Sequence, residues 1–181
     1  ILAIVDDTDS NLEQLGYVLE KLILYATSLG VGTCWMGGTF KRRDFQRLIN
    51  LKDDEIMPVV TPIGYPREHF MRYSARSNQR KEWKELFFQG DLKSPIEAAE
   101  SQYLDALEAV RLAPSASNKQ PWRILKNNNK YLFYLKSNPG YSETLGFNIQ
   151  RIDMGIAMCH FEMVLNENGI KGEWMDEDIK E

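Results

Sequence analysis

Apolar residues with helical spacing predict a long helix near the start of the chain. From Leu15 onwards, apolar side chains recur every three or four residues, the period that places them on one face of an α-helix. They are Leu15, Val18, Leu19, Leu22, Ile23, Ala26 and Leu29. Ser10 to Glu13 (S-N-L-E) has the form of a capping box, in which the serine and glutamate side chains satisfy free amides of the first turn. Gly30 is placed to end this helix.

Three more stretches have helical character. Gln150 to Asn168 is apolar on nearly every side, which is typical of a helix in the centre of a core. Ile96 to Ala113 carries its apolar residues on one face and predicts an amphipathic helix. A short helix is predicted over Arg43 to Leu51.

Alternating and continuous apolar runs predict strands. Ile1 to Val5 has the composition of a buried strand. Ile56 to Gly64 is strand-like, but its two prolines favour a position at the edge of a sheet. Trp122 to Lys126 and Lys130 to Lys136 predict a hairpin around three consecutive asparagines.

A comparison of the two long helices indicates an internal repeat. A shift of 139 residues aligns four identical pairs in the 22 positions from Leu15 to Met36, at helix-packing and helix-ending positions and at a shared Trp-Met pair. The pairs are Gly16 with Gly155, Gly30 with Gly169, Trp35 with Trp174, and Met36 with Met175. We therefore expect two copies of a helix-plus-loop unit, in segments 1–66 and 96–181, joined by a charged bridging segment at 67–95.

Composition excludes several classes of partner. Apolar residues make up 43% of the chain, charged residues 27%, and the net charge is −4, so we expect neither nucleic acid nor a membrane surface as a partner. Two cysteines without metal or disulfide spacing fit a reducing cytoplasm, and no run reaches the ~20 apolar residues of a membrane span. The local basic clusters, Lys41–Arg43 and Arg72–Lys84, are usually solvated faces but can also meet one phosphate.

The glycine-rich segment G-V-G-T-C-W-M-G-G-T-F (30–40) imitates two nucleotide-binding motifs and matches neither. Trp35 stands where a dinucleotide fingerprint needs its third glycine, and Gly38 stands where a P-loop needs lysine. What remains is a loop whose backbone amides can approach a ligand closely at Gly37 and Gly38. A plain helix-to-strand connection with Trp35 filling the core stays open as the alternative.

A second segment, R-L-A-P-S-A-S-N-K-Q-P-W-R-I (111–124), concentrates neutral hydrogen-bonding side chains between two prolines. Such a set suits a flat, polar partner. A serine nucleophile would need His69 or His160 as its base, and His160 lies on the apolar helix, where a hydrogen-bonded core histidine is more common than a catalyst. Metal ligands at useful spacing are too few for a metal site.

Part of this segment, A-P-S-A-S-N-K-Q-P-W (113–122), resembles the P-S-x-x-N-x-Q-P-W element of the FMN-dependent nitroreductase family. L-G-V-G-T-C-W-M-G-G-T-F (29–40), P-V-V-T-P-I-G-Y-P (58–66) and I-D-M-G-I-A-M-C-H-F (152–161) are similar to its flavin-edge loop, following strand and central helix. The resemblance implies an α+β fold with a central, mostly antiparallel sheet wrapped by long helices. The late position of the P-S-x-x-N element resembles a subgroup in which two related halves form a single-chain pseudo-dimer, which implies a monomer.

The resemblance also implies a cofactor site. The P-S-x-x-N residues would contact the flavin ring and ribityl chain, the glycine loop would lie along the ring edge near N5 and O4, and a basic pair would approach the phosphate. The residues so implied are Pro114, Ser115, Ala116, Asn118, Trp35, Met36, Gly37, Gly38, Arg80 and Lys81. No catalytic side chain and no metal are implied, because the flavin carries the chemistry.

The implied activity is that of an FMN-dependent oxidoreductase. NAD(P)H would reduce the flavin and leave, and the flavin would then reduce a nitroaromatic, quinone-like or other flat acceptor through N5, with ping-pong kinetics. The family's R-x-S-x-R phosphate element is not in this chain, which opens on a strand-like run without Met, so we expect an upstream segment to be missing. The second copy, E-W-M-D (173–176), lacks the loop glycines, which favours one flavin site per chain. Reductive dehalogenation and a flavin- or ligand-binding module without turnover remain alternatives.

Overall fold

Two long helices cross at the centre of the fold. The computed structural model describes residues 1–66, 79–97, 103–140 and 144–176. Helix α1 (Asp9–Ser28) packs against α5 (Ile149–Glu167) more extensively than any other two elements of the described part. A side chain at Gly16 would overlap the backbone of Ile152, and one at Gly155 would overlap the backbone of Glu13, so the crossing requires glycine in both helices. The prediction that the second long helix is central is confirmed, since eleven of its residues are buried.

Seven short strands form three small sheets in the described residues. They are β1 (Val5–Asp6), β2 (Gly32–Thr33), β3 (Glu55–Ile56), β4 (Ile63–Gly64), β5 (Phe87–Gln89), β6 (Trp122–Asn127) and β7 (Lys130–Leu135). β1 pairs with β3 and β2 with β4, both antiparallel, while β6 pairs with β7 antiparallel and with β5 in parallel. The predicted hairpin is confirmed as β6–β7. The fold is α+β, but the described strands form separate mixed sheets instead of the one central, mostly antiparallel sheet that was expected.

The N-terminal run is less buried than its composition predicts. Only Ala3 of residues 1–5 is buried, whereas Ile1 is 45% exposed and Ile4 is 40% exposed. The run lies beside residues 56–61, since the Ala3 amide donates to the carbonyl of Val59 (3.3 Å). The predicted buried strand is therefore reduced to the two residues of β1 (Val5–Asp6) and an isolated bridge at Leu2.

The segment after β3 is not at an edge. Val60 forms isolated bridges with both Leu2 and Met36, so it has a neighbour on each side. The prolines at positions 58 and 62 flank Val60 and leave its own amide free to pair with Met36 (3.0 Å). The edge prediction was wrong because the prolines lie two residues before and two residues after Val60, whose amide therefore remains available for pairing.

Helix boundaries differ from the predictions in three places. The N-cap of α1 is Thr8, whose Oγ1 accepts from the Asn11 amide (3.1 Å), so the capping box predicted at Ser10 does not form. The predicted helix at 43–51 is the shorter α2 (Arg42–Gln46). Of the helix predicted over 96–113, α4 (Leu104–Leu112) is helical and residues 98–102 lie outside the described residues, while the Ile96 amide donates to the carbonyl of Phe87 (3.1 Å).

The segment before α4 contributes to the core. Residues 79–97 supply α3 (Trp83–Leu86) and then β5, which joins the hairpin sheet. Leu86 and Phe87 are fully buried there. This segment had been predicted only as a charged bridge, and its residues 67–78 lie outside the described residues.

Candidate functional site

The glycine loop and the 113–122 segment border one cavity. The cavity has a volume of about 260 Å³ and lies beside the N-terminal half of α5. Six of the predicted site residues line it: Trp35, Gly37, Gly38, Pro114, Ser115 and Ala116. The other four, Met36, Asn118, Arg80 and Lys81, lie outside its lining. Folding thus brings together two motifs that are more than 70 positions apart in sequence.

Backbone strain marks the 113–122 segment. After α4 ends, residues 116–118 form a single 3₁₀ turn, and Ser117, Asn118 and Gln120 all have positive φ angles of 48°, 57° and 49°. A non-glycine residue in this left-handed region costs roughly 1–2 kcal/mol. Such strain persists only where the surroundings enforce it, and it concentrates at functional sites.

Side chains within the segment and in residues 79–81 hold this strained conformation. Ser115 Oγ accepts from the Gln120 amide (2.9 Å). The buried Gln120 side chain donates to the carbonyl of Asn118 (3.0 Å) and accepts from the Lys81 amide (2.7 Å). The loop is therefore shaped by its own polar groups before any ligand binds.

Asn118 is directed towards residues 79–80 and away from the cavity. Its Nδ2 donates to the carbonyl of Gln79 (2.7 Å), and its Oδ1 accepts from the Arg80 guanidinium. Arg80 also donates to the carbonyl of Leu112 (2.7 Å). In this structure, Asn118 and Arg80 join the loop to its neighbouring segment.

Lys81 belongs to a group of cations. Burial lowers the pKa of Lys81, and the nearby Arg123, followed by Lys136 and Lys119, lowers it further. Glu85 acts in the opposite direction. A cation in such surroundings favours the approach of an anion, because an anion would relieve the mutual repulsion.

The glycine loop is fixed at one side and open at the other. Met36 exchanges both of its backbone hydrogen bonds with Val60 (3.0 Å each) and does not line the cavity. A Cβ at Gly37 would lie 2.6 Å from Ile149 Cδ1, so this position is closely packed. A Cβ at Gly38 would meet no atom within 4 Å, so the cavity is open there.

Arg42 holds the glycine loop against the segment that follows β3. Its guanidinium donates to the carbonyls of Gly37, Met57 (3.3 Å) and Pro58 (2.8 Å), and it lies against the Phe147 ring. Burial lowers its pKa. Neither role considered for this basic cluster, a solvated face or a phosphate contact, describes Arg42, because its donors are used by backbone carbonyls.

Trp35 fills the core and lines the cavity at the same time. Its Nε1 donates to Oε2 of the buried Glu20 (2.7 Å), and Glu20 Oε1 lies 2.8 Å from His160 Nε2. His160 is thus a hydrogen-bonded core histidine, as its position on an apolar helix indicated. His69, the other histidine considered as a base, lies outside the described residues.

Sequence reasoning missed Asp153, which lies on α5 against the 113–122 segment. It is 2% exposed, and its Oδ1 accepts from the Ala116 amide (2.9 Å). Its Oδ2 has no hydrogen-bond partner among the described residues. Burial raises the pKa of this carboxyl to about 8, against the opposing effect of the Ala116 amide. The signal that could have identified it is an acid placed among the apolar residues Ile152, Met154 and Ile156 of the central helix.

The cavity wall contains further residues that were not among the predicted site residues. Among them are Val59, Ser117, Leu145, Ile149, Ile152 and Ile156. The apolar members come from α5, from Leu145 just before it and from Val59 in the segment after β3. The result is a mainly apolar slot with neutral polar groups on one side.

A larger cavity of about 310 Å³ lies at the far end of α5. It is lined by aromatic residues that include Tyr103, Tyr131, Phe161 and Trp174. No residue of the glycine loop or of the 113–122 segment borders it. We therefore take the smaller cavity, in which the two motifs meet, as the candidate site.

The described residues contain no group of three or more His, Cys, Asp or Glu side chains that could hold a metal ion. Within the same part of the chain, no helix is long and apolar enough to cross a membrane.

Residues 1–165 match a family model described as "Putative TM nitroreductase". The fold is similar to the crystal structure of a putative nitroreductase from Thermotoga maritima, with a TM-score of 0.62 and 22% sequence identity. That match covers 92% of this chain but 60% of the other, so this chain spans about three fifths of the length of that protein. A comparison with curated proteins found no match.

Proposed function

This chain belongs to the family described as "Putative TM nitroreductase", and on that premise we propose that it is an FMN-dependent oxidoreductase. It would take electrons from NAD(P)H and deliver them to a flat acceptor, such as a nitroaromatic or quinone-like compound. The observation that carries the proposal is the cavity in which Gly37 and Gly38 meet Pro114, Ser115 and Ala116.

The chemistry of the cavity fits a flavin ring. Its volume of about 260 Å³ lies near the lower end of small-molecule pockets, which begin at roughly 300 Å³, so it suits a ring system more than a whole nucleotide. Trp35 and the isoleucines of α5 supply apolar walls, and Ser115 and Ser117 supply neutral hydrogen-bonding groups. An apolar slot with a polar edge complements a flat heterocycle.

The residues of the chain would bind and orient the cofactor. Gly38 would allow a ring edge to approach the backbone, since no atom occupies the space where its side chain would be. Ser115 would present its hydroxyl from a loop that is already ordered, which limits the entropy lost on binding. When bound, FMN would supply the chemistry, accepting a hydride from NAD(P)H and returning it to the acceptor.

Of the predicted basic pair, Lys81 is the better candidate for the phosphate. The Arg80 guanidinium already binds Asn118 and Leu112, so we assign it to positioning the loop. Lys81 lies among cations that lower its pKa, and a phosphate would relieve that repulsion. We also propose that the molecule is a monomeric pseudo-dimer, which its mass in solution would test.

Filling the cavity at Gly38 tests the proposal. Gly38→Leu adds an apolar side chain into open space, so the fold is expected to persist while FMN and riboflavin binding is lost. Gly64→Leu is the matched control, because Gly64 also has no atom within 4 Å of an added Cβ but lies outside the cavity lining. Binding is measured by quenching of flavin fluorescence, and the fold by circular dichroism.

Each outcome has a defined meaning. Wild-type protein that bound neither FMN nor riboflavin would refute the proposal. Equal flavin affinity in the wild type and Gly38→Leu would place the flavin elsewhere. Bleaching of bound flavin by NADH or NADPH without oxygen separates an oxidoreductase from a binding module, and halide release from halogenated aromatics identifies a dehalogenase.

A further inference from the structure

Asp153 lines the candidate cavity, and only one of its two carboxyl oxygens has a hydrogen-bond partner among the described residues. Its Oδ1 accepts from the Ala116 amide, while its Oδ2 is buried and has no partner among the described residues. An unpaired buried polar atom costs on the order of 1–3 kcal/mol. A group in this state in a cavity is suited to pair with a ligand.

The surroundings of Asp153 favour its neutral form. The other residues that line the cavity carry no charge. On either side of Ala116, whose amide Asp153 binds, the lining contains the hydroxyl residues Ser115 and Ser117. Two ionisable groups that share α5 with Asp153 are paired with acids of α1. On α5, Arg151 pairs with Asp9 and Glu13 of α1, and His160 pairs with Glu20 of α1.

The carboxyl therefore keeps its proton at neutral pH. Burial raises its pKa to about 8, and the Ala116 amide, which favours the anion, only partly opposes this effect. With Oδ1 accepting from the amide, the proton belongs on Oδ2, where it can act as a hydrogen-bond donor.

We propose that Asp153 is a ligand-binding residue that donates a hydrogen bond from its Oδ2–H to an acceptor atom of the ring held in the cavity. This inference rests on the proposed function, because it takes that ring to be the flavin. A flavin ring offers carbonyl oxygens and unprotonated ring nitrogens as acceptors. A neutral acid pairs with these atoms, whereas a carboxylate would repel them.

The pH dependence of binding tests the inference. Riboflavin is the probe, because the phosphate of FMN itself titrates near pH 6. The dissociation constant of the wild type should stay constant from pH 6 to 7 and rise about tenfold per pH unit above the pKa of Asp153, as the protonated fraction falls. Asp153→Asn is neutral at every pH and keeps a donor, so its affinity should not follow this change.

Because riboflavin titrates in the same way in both experiments, the ratio of the two dissociation constants at each pH is free of the contribution from riboflavin itself. Equal pH dependence in the wild type and Asp153→Asn, with both binding riboflavin, would overturn the role of Asp153 and leave the proposed function standing. Wild-type affinity that rose with pH would also overturn it, since a carboxylate would then be accepting a hydrogen bond from the ligand. No riboflavin binding by the wild type at any pH would overturn both.

A measurement on the wild type alone avoids dependence on the variant's folding. The carboxyl ¹³C resonance of Asp153 should titrate near pH 8 without ligand, and at higher pH when riboflavin is bound, because the protonated form binds. Titration near pH 4 without ligand, or no change on adding saturating riboflavin, would refute the donor role.

Discussion

The segments that follow α1 and α5 begin alike and then diverge. Gly30 and Gly169 both have φ of 73°, and each is followed by an amide that returns to the helix. Val31 donates to the carbonyl of Ala26, and 139 positions later Ile170 donates to Leu165, both at 2.9 Å. The two helices therefore end through corresponding hydrogen bonds.

The difference begins at the tryptophans. Trp35 donates to the buried Glu20 and lines the candidate cavity beside two glycines. Trp174 donates to Glu162, packs against Phe133 and is 40% exposed, with no glycine after it in the corresponding positions. A shared way of ending a helix therefore does not by itself create a ligand-binding site. The residues beyond the tryptophan, and the loop that meets them, decide which end can hold a ligand.

The substitutions with the largest expected effect disrupt the helix crossing, to which each copy contributes one glycine. Gly155→Ala or Gly16→Ala places a Cβ into the backbone of the facing helix, which cannot move aside as a side chain can. We expect each to lower the free energy of unfolding by more than about 3 kcal/mol or to prevent folding. Urea denaturation measures this. Gly172→Ala, at an open position without positive φ, is the control and should change stability by less than about 1 kcal/mol.

The next effect concerns Asp153, whose counterpart in the first copy is the exposed Gln14. The pKa of Asp153 is raised from 3.8 to about 8, so the folded state holds a proton that the unfolded chain has lost, and stability should fall as pH rises from about 4 to 8. Asp153→Asn should remove this decline and be more stable at pH 8 by roughly 2–5 kcal/mol.

Urea denaturation at pH 5 and pH 8 measures that difference. Gln14→Glu adds an acid at the corresponding but solvated position, so it should retain the decline seen in the wild type. If Asp153→Asn declined as steeply as the wild type, the buried carboxyl would not be the cause.

The two tryptophans provide a direct comparison of the loops. Trp35→Phe leaves the buried Glu20 without its indole donor, which should cost about 1–3 kcal/mol and weaken riboflavin binding. Trp174→Phe should cost less than about 1 kcal/mol and leave riboflavin binding unchanged, because this side chain is half-exposed and outside the candidate cavity. Thermal unfolding and flavin fluorescence measure the two effects. Equal losses of riboflavin affinity would contradict the functional difference between the loops.

The smallest effect tests the likeness of the helix ends. Gly30→Ala and Gly169→Ala each force alanine into the left-handed region, at a cost of about 1 kcal/mol. Because both positions have the same φ and open surroundings, the two variants should lose the same stability within roughly 0.5 kcal/mol. Matched urea titrations would detect a difference.

The sequence identified those elements whose residues carry a strong local pattern. The central position of α5, the β6–β7 hairpin and both helix-ending glycines followed from apolar periodicity and from turn residues. The strand β5 was missed, because its parallel pairing with β6 joins residues 37 positions apart and leaves no local signature. The N-cap lies at Thr8 and not at Ser10; three consecutive residues there, Thr8, Asp9 and Ser10, are of types that can cap a helix, so composition alone did not select one.

The candidate site was predictable only in part. Six of the predicted site residues line the cavity. The sequence could not show that Gly37 lines the cavity whereas its neighbour Met36, whose backbone pairs with Val60, does not. The prediction for Asn118 was also not met at this cavity, because its side chain is hydrogen-bonded to Gln79 and Arg80. Asp153 was missed because its importance depends on burial and on the Ala116 amide, both of which arise only when the chain is folded.

The crossing of α1 and α5 also has a consequence for how the protein is made. α5 is synthesised more than 100 residues after α1, so the apolar face of α1 lacks its packing partner while the residues between the two helices are translated. Contacts so distant in sequence slow folding, and an exposed apolar face favours aggregation meanwhile. The close helix contact that the two glycines allow can therefore form only after α5 has been synthesised.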